Sequence, residues 1–213
     1  MKQQLWLERI AFVCLFLFLI SFAITITINF RPLYWFDVHY LNILAQTTVS
    51  QEVLHKNYGL LLDFLNNPFN QTLSLPDFPM SAAGAGHFYD VKKLFMLNYA
   101  VMFLTVIPSF WLKRRLRKQQ QQWRLIRPFQ WGMLIPVFFG FLMAIGFDRF
   151  FVTFHEIFFS NDDWLFDPRT DPIINVLPES FFMHCFILFF VLIELFFFAF
   201  YFWGKRSLKQ SVR

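Results

Sequence analysis

The sequence predicts an all-α integral membrane protein with four transmembrane helices, both termini inside, and an extracellular, mainly helical cap at the outer interface. Two observations predict it. Of 213 residues, 57% are hydrophobic and 22% aromatic, with 34 Phe, and only 15% are charged, against about 25% in soluble chains. The apolar residues also gather in four runs long enough to span a bilayer, which takes about 20 helical residues. Such a chain is not a secreted or cytosolic globule, a disordered chain or a nucleic-acid binder, because its net charge of +5 is small and segregated along the sequence.

The spans are expected at about 10–29, 94–112, 129–147 and 181–203, the third continuing as helix to about 158. The first follows Lys2 and Arg9 as a signal peptide would. Its apolar run is longer than a signal-peptide core, and Thr25, Thr27 and Asn29 offer no small-residue cleavage site, so it reads as a retained helix. The loop 113–128 carries Lys113, Arg114, Arg115, Arg117, Lys118, Arg124 and Arg127 without an acidic residue, and the tail adds Lys205, Arg206, Lys209 and Arg213. Basic flanks stay on the cytoplasmic side. Segments 30–93 and 148–180 are then outside, and they hold all but Glu8 and Glu194 of the 14 acidic residues and all but His184 of the 5 His.

Several chemistries lose their signatures. Cys14 and Cys185 lie in apolar runs with no CxxC partner and read as packing residues. No P-loop, GxGxxG, GxSxG or HExxH pattern occurs; His155-Glu156 lacks the second His. No nucleotide or nucleic-acid partner is expected, and the basic loop with Gln119 to Gln122 suits anionic lipid headgroups.

In the outer segments, Ser50 is positioned to cap a helix to about Leu65, with Val53, Leu54, Tyr58, Leu61 and Leu65 at helical spacing, until Asn66-Asn67-Pro68 ends it. His39 and His55 read as polar-face residues. His87 and His155 are better placed: counted at 1.5 Å per residue from Lys113 and Arg127, both sit about 40 Å from the inner face, at the outer headgroups. His87 follows Gly84-Ala85-Gly86, which reads as a flexible loop, with Asp90 three residues on as a helix cap or a partner for the ring. Asp148 and His155 fall on one helical stripe, as do Arg149 and Glu156. Arg149 would either hold a substrate carbonyl or pair with Glu156. Asp171 before Pro172, and Pro178 with Glu179, read as helix starts. His184 and Glu194 lie within the fourth span, where hydrogen bonding to Asn98 or Thr105 competes with a functional role.

His87-x-x-Asp90-Val91 before the second span, Phe154-His155-Glu156 after the third, and Trp164-x-x-Asp167-Pro168-x-x-Asp171-Pro172-x-x-Asn175-x-x-Pro178-Glu179 before the fourth resemble the bacterial lipoprotein intramolecular transacylases. The resemblance covers the chain in layout, although 30–80 matches no motif. It implies a multi-pass protein of the bacterial plasma membrane with an extracellular site. The reaction would move the sn-2 acyl chain of a diacylglyceryl lipoprotein to the α-amine of its N-terminal Cys, with His87 and His155 as catalytic residues.

The residues agree with that chemistry. Ester and amine belong to one substrate, so positioning replaces an acyl-enzyme, and no cofactor, metal or ATP is expected. Imidazole can take a proton from the amine and return one to the departing oxygen. His155, on a helix, is the favoured base, with His87 as acid or oxyanion stabiliser. Asp90, Asp148, Glu156 and Arg149 would support them; Tyr89, Phe154, Trp164, Asp167 and Asp171 would line the substrate pocket. Partners are then the lipoprotein and membrane lipids. A non-catalytic sensor or assembly partner, and a metal-dependent hydrolase of an envelope lipid, are the alternatives.

Overall fold

The computed structural model describes residues 2–211. Met1, Val212 and Arg213 lie outside the described residues, as do the side chains of Lys2, Gln3, Lys209, Gln210 and Ser211, so of the terminal charges counted above Lys2, Lys209 and Arg213 lie outside the description. The described chain is helical without a strand: α1 Lys2–Asn29, α2 Arg31–Tyr40, α3 Gln51–Asn66, α4 Ala82–Lys118, α5 Ile126–Gly132, α6 Leu134–Ile145, α7 Phe147–Phe158 and α8 Glu179–Ser211, with 3-10 turns at Ile43–Gln46, Gln122–Leu125 and Pro172–Asn175. Four stretches are long and apolar enough to cross a membrane: Gln4–Asn29, Ala82–Lys118, Gln122–Ile145 and Glu179–Leu208.

The expectation of one helix from 129 to about 158 is corrected. At Gly146 the backbone turns extended (φ −174°, ψ 99°), and α7 starts afresh at Phe147. Glycine is a poor helix former, and Asp148 in the first turn of α7 favours a new start there by complementing the helix dipole.

The chain forms two compact units. One takes in Met1–Thr27, Asn98–Ile145 and Ile187–Arg213. Its core is a stripe on α1 at four-residue spacing, Ala11, Leu15, Leu19 and Ala23, against Leu112, Leu116, Phe129, Ile193 and Phe197. Phe16 stacks on Phe129 with ring centroids 4.6 Å apart. Outward-facing apolar residues are abundant: Leu104 and Ile107 are each 76% exposed, as suits a surface whose solvent is lipid. The buried Glu8 carboxylate binds Arg115 Nε at 2.6 Å and Arg124 Nη1 at 2.7 Å. Ser207 Oγ donates to Gln122 Oε1 at 3.0 Å. The start of α1, the basic loop and the end of α8 therefore share one end of this unit, the shared side that the charge pattern requires. Asn98 donates to Thr25 Oγ1 at 2.9 Å and Thr105 to the Val101 carbonyl at 2.6 Å, so neither partners His184 or Glu194.

The other unit comprises Ile28–Leu97 and Gly146–Phe186. Here α3 behaves as its periodicity predicts: Ser50 Oγ accepts from Val53 N at 3.3 Å, and Leu54, Tyr58, Leu61 and Leu65 are buried. They pack with Tyr34, Val38, Phe88 and Phe181. Tyr34 stacks on Tyr58 at 3.9 Å and donates its hydroxyl to the Val176 carbonyl at 2.9 Å, tying α2 to the turn before α8. Lys92, also buried, reaches back to the Asn70 carbonyl and lies over the Phe64 ring.

Candidate active site

The first turn of α4 is held from 90 residues away. Ser81 Oγ accepts from Gly84 N at 2.9 Å, and Ser81's own N–H donates to Asp171 Oδ1 at 2.7 Å. Thr170 Oγ1 donates to Asp171 Oδ2, also at 2.7 Å. Asp171 is thus buried, with both oxygens engaged at α4 and Thr170, and its side chain makes no cap to the Pro172 turn that follows it. Burial alone would raise its pKa, but these hydrogen bonds outweigh burial and hold the carboxyl below the usual range.

The reading of Gly84 and Gly86 as a flexible loop is corrected by the same contacts. Both lie within α4, and no glycine among the described residues has positive φ. They are small because carboxylates press on them: a Cβ on Gly84 would collide with the Asp171 carboxylate, and one on Gly86 would lie 3.0 Å from Asp163 Oδ2. His87 therefore sits on a helix.

His87 and His155 come together, with ring centroids 5.7 Å apart and only 7% and 8% exposed. Phe159 and Phe166 meet His87 edge-on at 4.7 and 5.5 Å. Trp164 stacks on His155 at 4.7 Å, and Phe151 lies at 4.2 Å. His155 Nδ1 is 2.8 Å from the Phe151 carbonyl oxygen. Since that oxygen can only accept, Nδ1 carries the hydrogen and Nε2 presents the lone pair of the neutral ring. Burial lowers the pKa of His155, partly opposed by the Phe151 carbonyl. His87 Nδ1 is buried and finds no hydrogen-bond partner. The pair can thus offer a neutral base and an unengaged imidazole nitrogen, both buried among aromatic rings.

The other expected site residues divide. Phe154 meets His155 edge-on at 5.7 Å, and Trp164 stacks on it. Asp90 is no helix cap, because α4 starts eight residues earlier; it binds Lys93 Nζ at 2.8 Å and Asn161 Nδ2 at 3.0 Å, and it acts on His87 through space. Asp148 is exposed and lies beside Glu179 without reaching His155. Arg149 and Glu156 are both exposed and form no ion pair with each other. Tyr89 is 42% exposed beneath Lys93. Asp167 is bound by Arg169 at 2.6 Å, which holds its carboxyl down to about 2.

Residue-type reasoning missed Phe151, Phe159 and Phe166, whose signal is lost among 34 Phe. It also missed the partner of His184, whose Nδ1 lies 2.7 Å from Oδ1 of the fully buried Asp37. Burial raises the Asp37 carboxyl, and the imidazole opposes it. Glu194 Oε2 is buried without a hydrogen-bond partner. Among the described residues, no three His, Cys, Asp or Glu side chains converge as a metal-binding group.

Comparison with known proteins adds to this geometry. The model of the family described as lipoprotein intramolecular transacylase Lit matches residues 9–182. Among solved structures, the membrane-integral lipoprotein intramolecular transacylase Lit from Bacillus cereus is similar at 28% identity, over 99% of this chain and 98% of that one, with a TM-score of 0.93. Two forms of that protein, one with a histidine-to-arginine and one with a histidine-to-alanine substitution, match at 27% identity with a TM-score of 0.84, over 99% of this chain and 94% and 96% of theirs. No curated protein sequence matches significantly.

Proposed function

The chain belongs to the lipoprotein intramolecular transacylase Lit family, and on that premise we propose that it moves the sn-2 acyl chain of a diacylglyceryl lipoprotein onto the α-amine of the lipoprotein's N-terminal Cys. His87 and His155 are its catalytic pair, working at the outer face of the bacterial plasma membrane. The single observation that carries this reading is the pair of buried imidazoles 5.7 Å apart.

The division of labour follows from their hydrogen bonds. His155, its Nδ1 proton committed to the Phe151 carbonyl, has Nε2 free to take a proton from the amine as nitrogen attacks the ester carbonyl. The helical setting that favoured His155 as base no longer distinguishes it, since His87 is helical too; the fixed tautomer does. The new C–N bond gives a tetrahedral oxyanion. His87, protonated at one nitrogen, stabilises that oxygen and delivers its proton to the departing glyceryl oxygen as the C–O bond breaks. The proton taken by His155 restores His87, through solvent or directly. One ester becomes one amide, with no acyl-enzyme and no external energy. The Phe159, Trp164 and Phe166 rings keep water from competing with the amine.

The test is mass spectrometry of N-terminal lipopeptides from a diacyl-producing host expressing the parent, His87→Asn or His155→Asn at matched membrane abundance. Unchanged total acyl mass with one chain on the Cys amine, abolished in either variant, is the expected result. Diacylglyceryl peptides with a free amine in the parent strain would refute the reaction. Full transfer by both variants would refute the site.

A further inference from the structure

We infer that the Asp163 carboxylate is the subsite that receives the terminal ammonium of the peptide substrate, an assignment that rests on the proposed transacylation. Asp163 stands where the two halves of the site meet. Its Oδ2 packs against Gly86, the residue before His87, and the residue after it, Trp164, stacks on His155. The turn that carries it is fixed at both ends of Asn161: Oδ1 accepts from Asp163 N at 3.2 Å, and Nδ2 donates to Asp90 at 3.0 Å, one helical turn from His87.

The neighbouring acids are committed. Asp90 is held by Lys93 and Asn161, Asp167 by Arg169 and Asp171 by Ser81 and Thr170. In segment 146–186, Asp163 is half-buried and its carboxylate has no hydrogen-bond or ion-pair partner among the described residues; the half-buried Glu179, whose Oε1 is also unpartnered, lies beside Asp148 at the start of α8. Gly86 leaves room for it, since a side chain there would lie 3.0 Å from Oδ2.

The reaction supplies a cation of matching chemistry. A peptide α-amine has a pKa of about 7.7–8.0 and arrives mostly protonated at neutral pH. A carboxylate set against Gly86 and followed by Trp164 holds that ammonium by charge-assisted hydrogen bonds. His155 Nε2 relays one ammonium proton to solvent and is left neutral, while a remaining N–H still donates to Asp163 and keeps the nitrogen lone pair aimed at the ester carbonyl; the second proton, lost on attack, is the one His155 then takes up. The subsite also rejects an amine that is already acylated, which has neither the charge nor the donors.

The test uses the full chain in lipid nanodiscs and two unreactive probes: a dialkyl-ether analogue of the S-diacylglyceryl cysteinyl peptide with a free amine, and its N-acetylated form. Asp163→Asn, which keeps the side-chain shape, is compared with Asp162→Asn, which removes the same charge from the exposed neighbour, after their thermal midpoints are checked against the parent. The expected result is about a tenfold loss of free-amine probe binding in Asp163→Asn, with acetylated-probe binding unchanged and Asp162→Asn like the parent. Equal loss of both probes, loss of neither, the same loss in Asp162→Asn, or a parent that binds neither probe would each overturn the assignment. Acyl transfer from the true ester is followed in the same nanodiscs. Asp163-dependent ammonium binding without transfer would remove the transacylase reading alone, and transfer without that dependence would remove the subsite alone.

Discussion

Replacing Asp171 tests whether the position of His87 is set from outside its own helix. In Asp171→Ala, the Ser81 N–H and the Thr170 hydroxyl each lose an acceptor at 2.7 Å in a place where the carboxylate is 3% exposed. An unsatisfied buried polar group costs about 1–3 kcal/mol; Thr170 is exposed and recovers water, so the larger share falls on Ser81. The expected cost is about 3 kcal/mol. In Asp171→Asn, the amide oxygen still accepts from Ser81 and only the charge assistance is lost, about 1 kcal/mol. Intrinsic Trp fluorescence during thermal unfolding in detergent should therefore rank the parent above Asp171→Asn and that above Asp171→Ala, with acyl transfer falling in the same order. The carboxyl is held below its usual range, so its contribution is complete above the unfolded value of about 4 and is lost as pH falls through the lower folded value. The gap between parent and Asp171→Asn should close on acidification. An unfolding midpoint for Asp171→Ala equal to the parent's, or an Asn variant as damaged as the Ala variant, would refute the reasoning.

Burial lowers the pKa of His155, so as a base it stays unprotonated to below the ordinary 6.5, and the acid limb of the pH–rate profile for acyl transfer should lie below that value. Trp164→Ala opens the stacked face of the ring to water and should move the limb up toward 6.5; an unmoved limb would count against His155 as base. Glu8→Ala leaves Arg115 and Arg124 facing each other without their shared carboxylate. Because both guanidiniums keep about a quarter of their surface in solvent, the full cost of breaking a buried pair is discounted to about 2 kcal/mol, read as a lower unfolding midpoint with acyl transfer intact at low temperature.

The parts of the fold that depend on composition and period were legible: the apolar runs, the Ser50 cap and the buried stripe of α3 all follow from residue type at fixed spacing. The start of α4 was not. Two glycines in three residues each cost a helix about 1 kcal/mol and read as a loop, yet the distant Asp171 supplies what local propensity lacks. The Asp148–His155 stripe shows the opposite error. Seven residues put two side chains on one face, but they also put them about 10 Å apart along the axis, so the ring turns to the Phe151 carbonyl one turn away. Both histidines were legible as residues matched in depth. Their aromatic walls and Asp163 were not, because Phe is everywhere in this sequence and a lone Asp in a turn looks like any other.

One segment, 159–171, does most of the construction. Phe159, Trp164 and Phe166 from it cover the imidazoles, while Asn161 and Asp171 from it tie down α4 one turn beyond His87 and at the helix start. The same stretch that sets the position of one ring therefore keeps water from both. An intramolecular acyl transfer needs this coupling more than it needs a nucleophile, because its two reacting groups arrive together and only their alignment is missing. A tie that slackens would misplace His87 and wet the pocket at once, so substitutions at Asn161 or Asp171 lose transfer more steeply than their cost in stability alone would give.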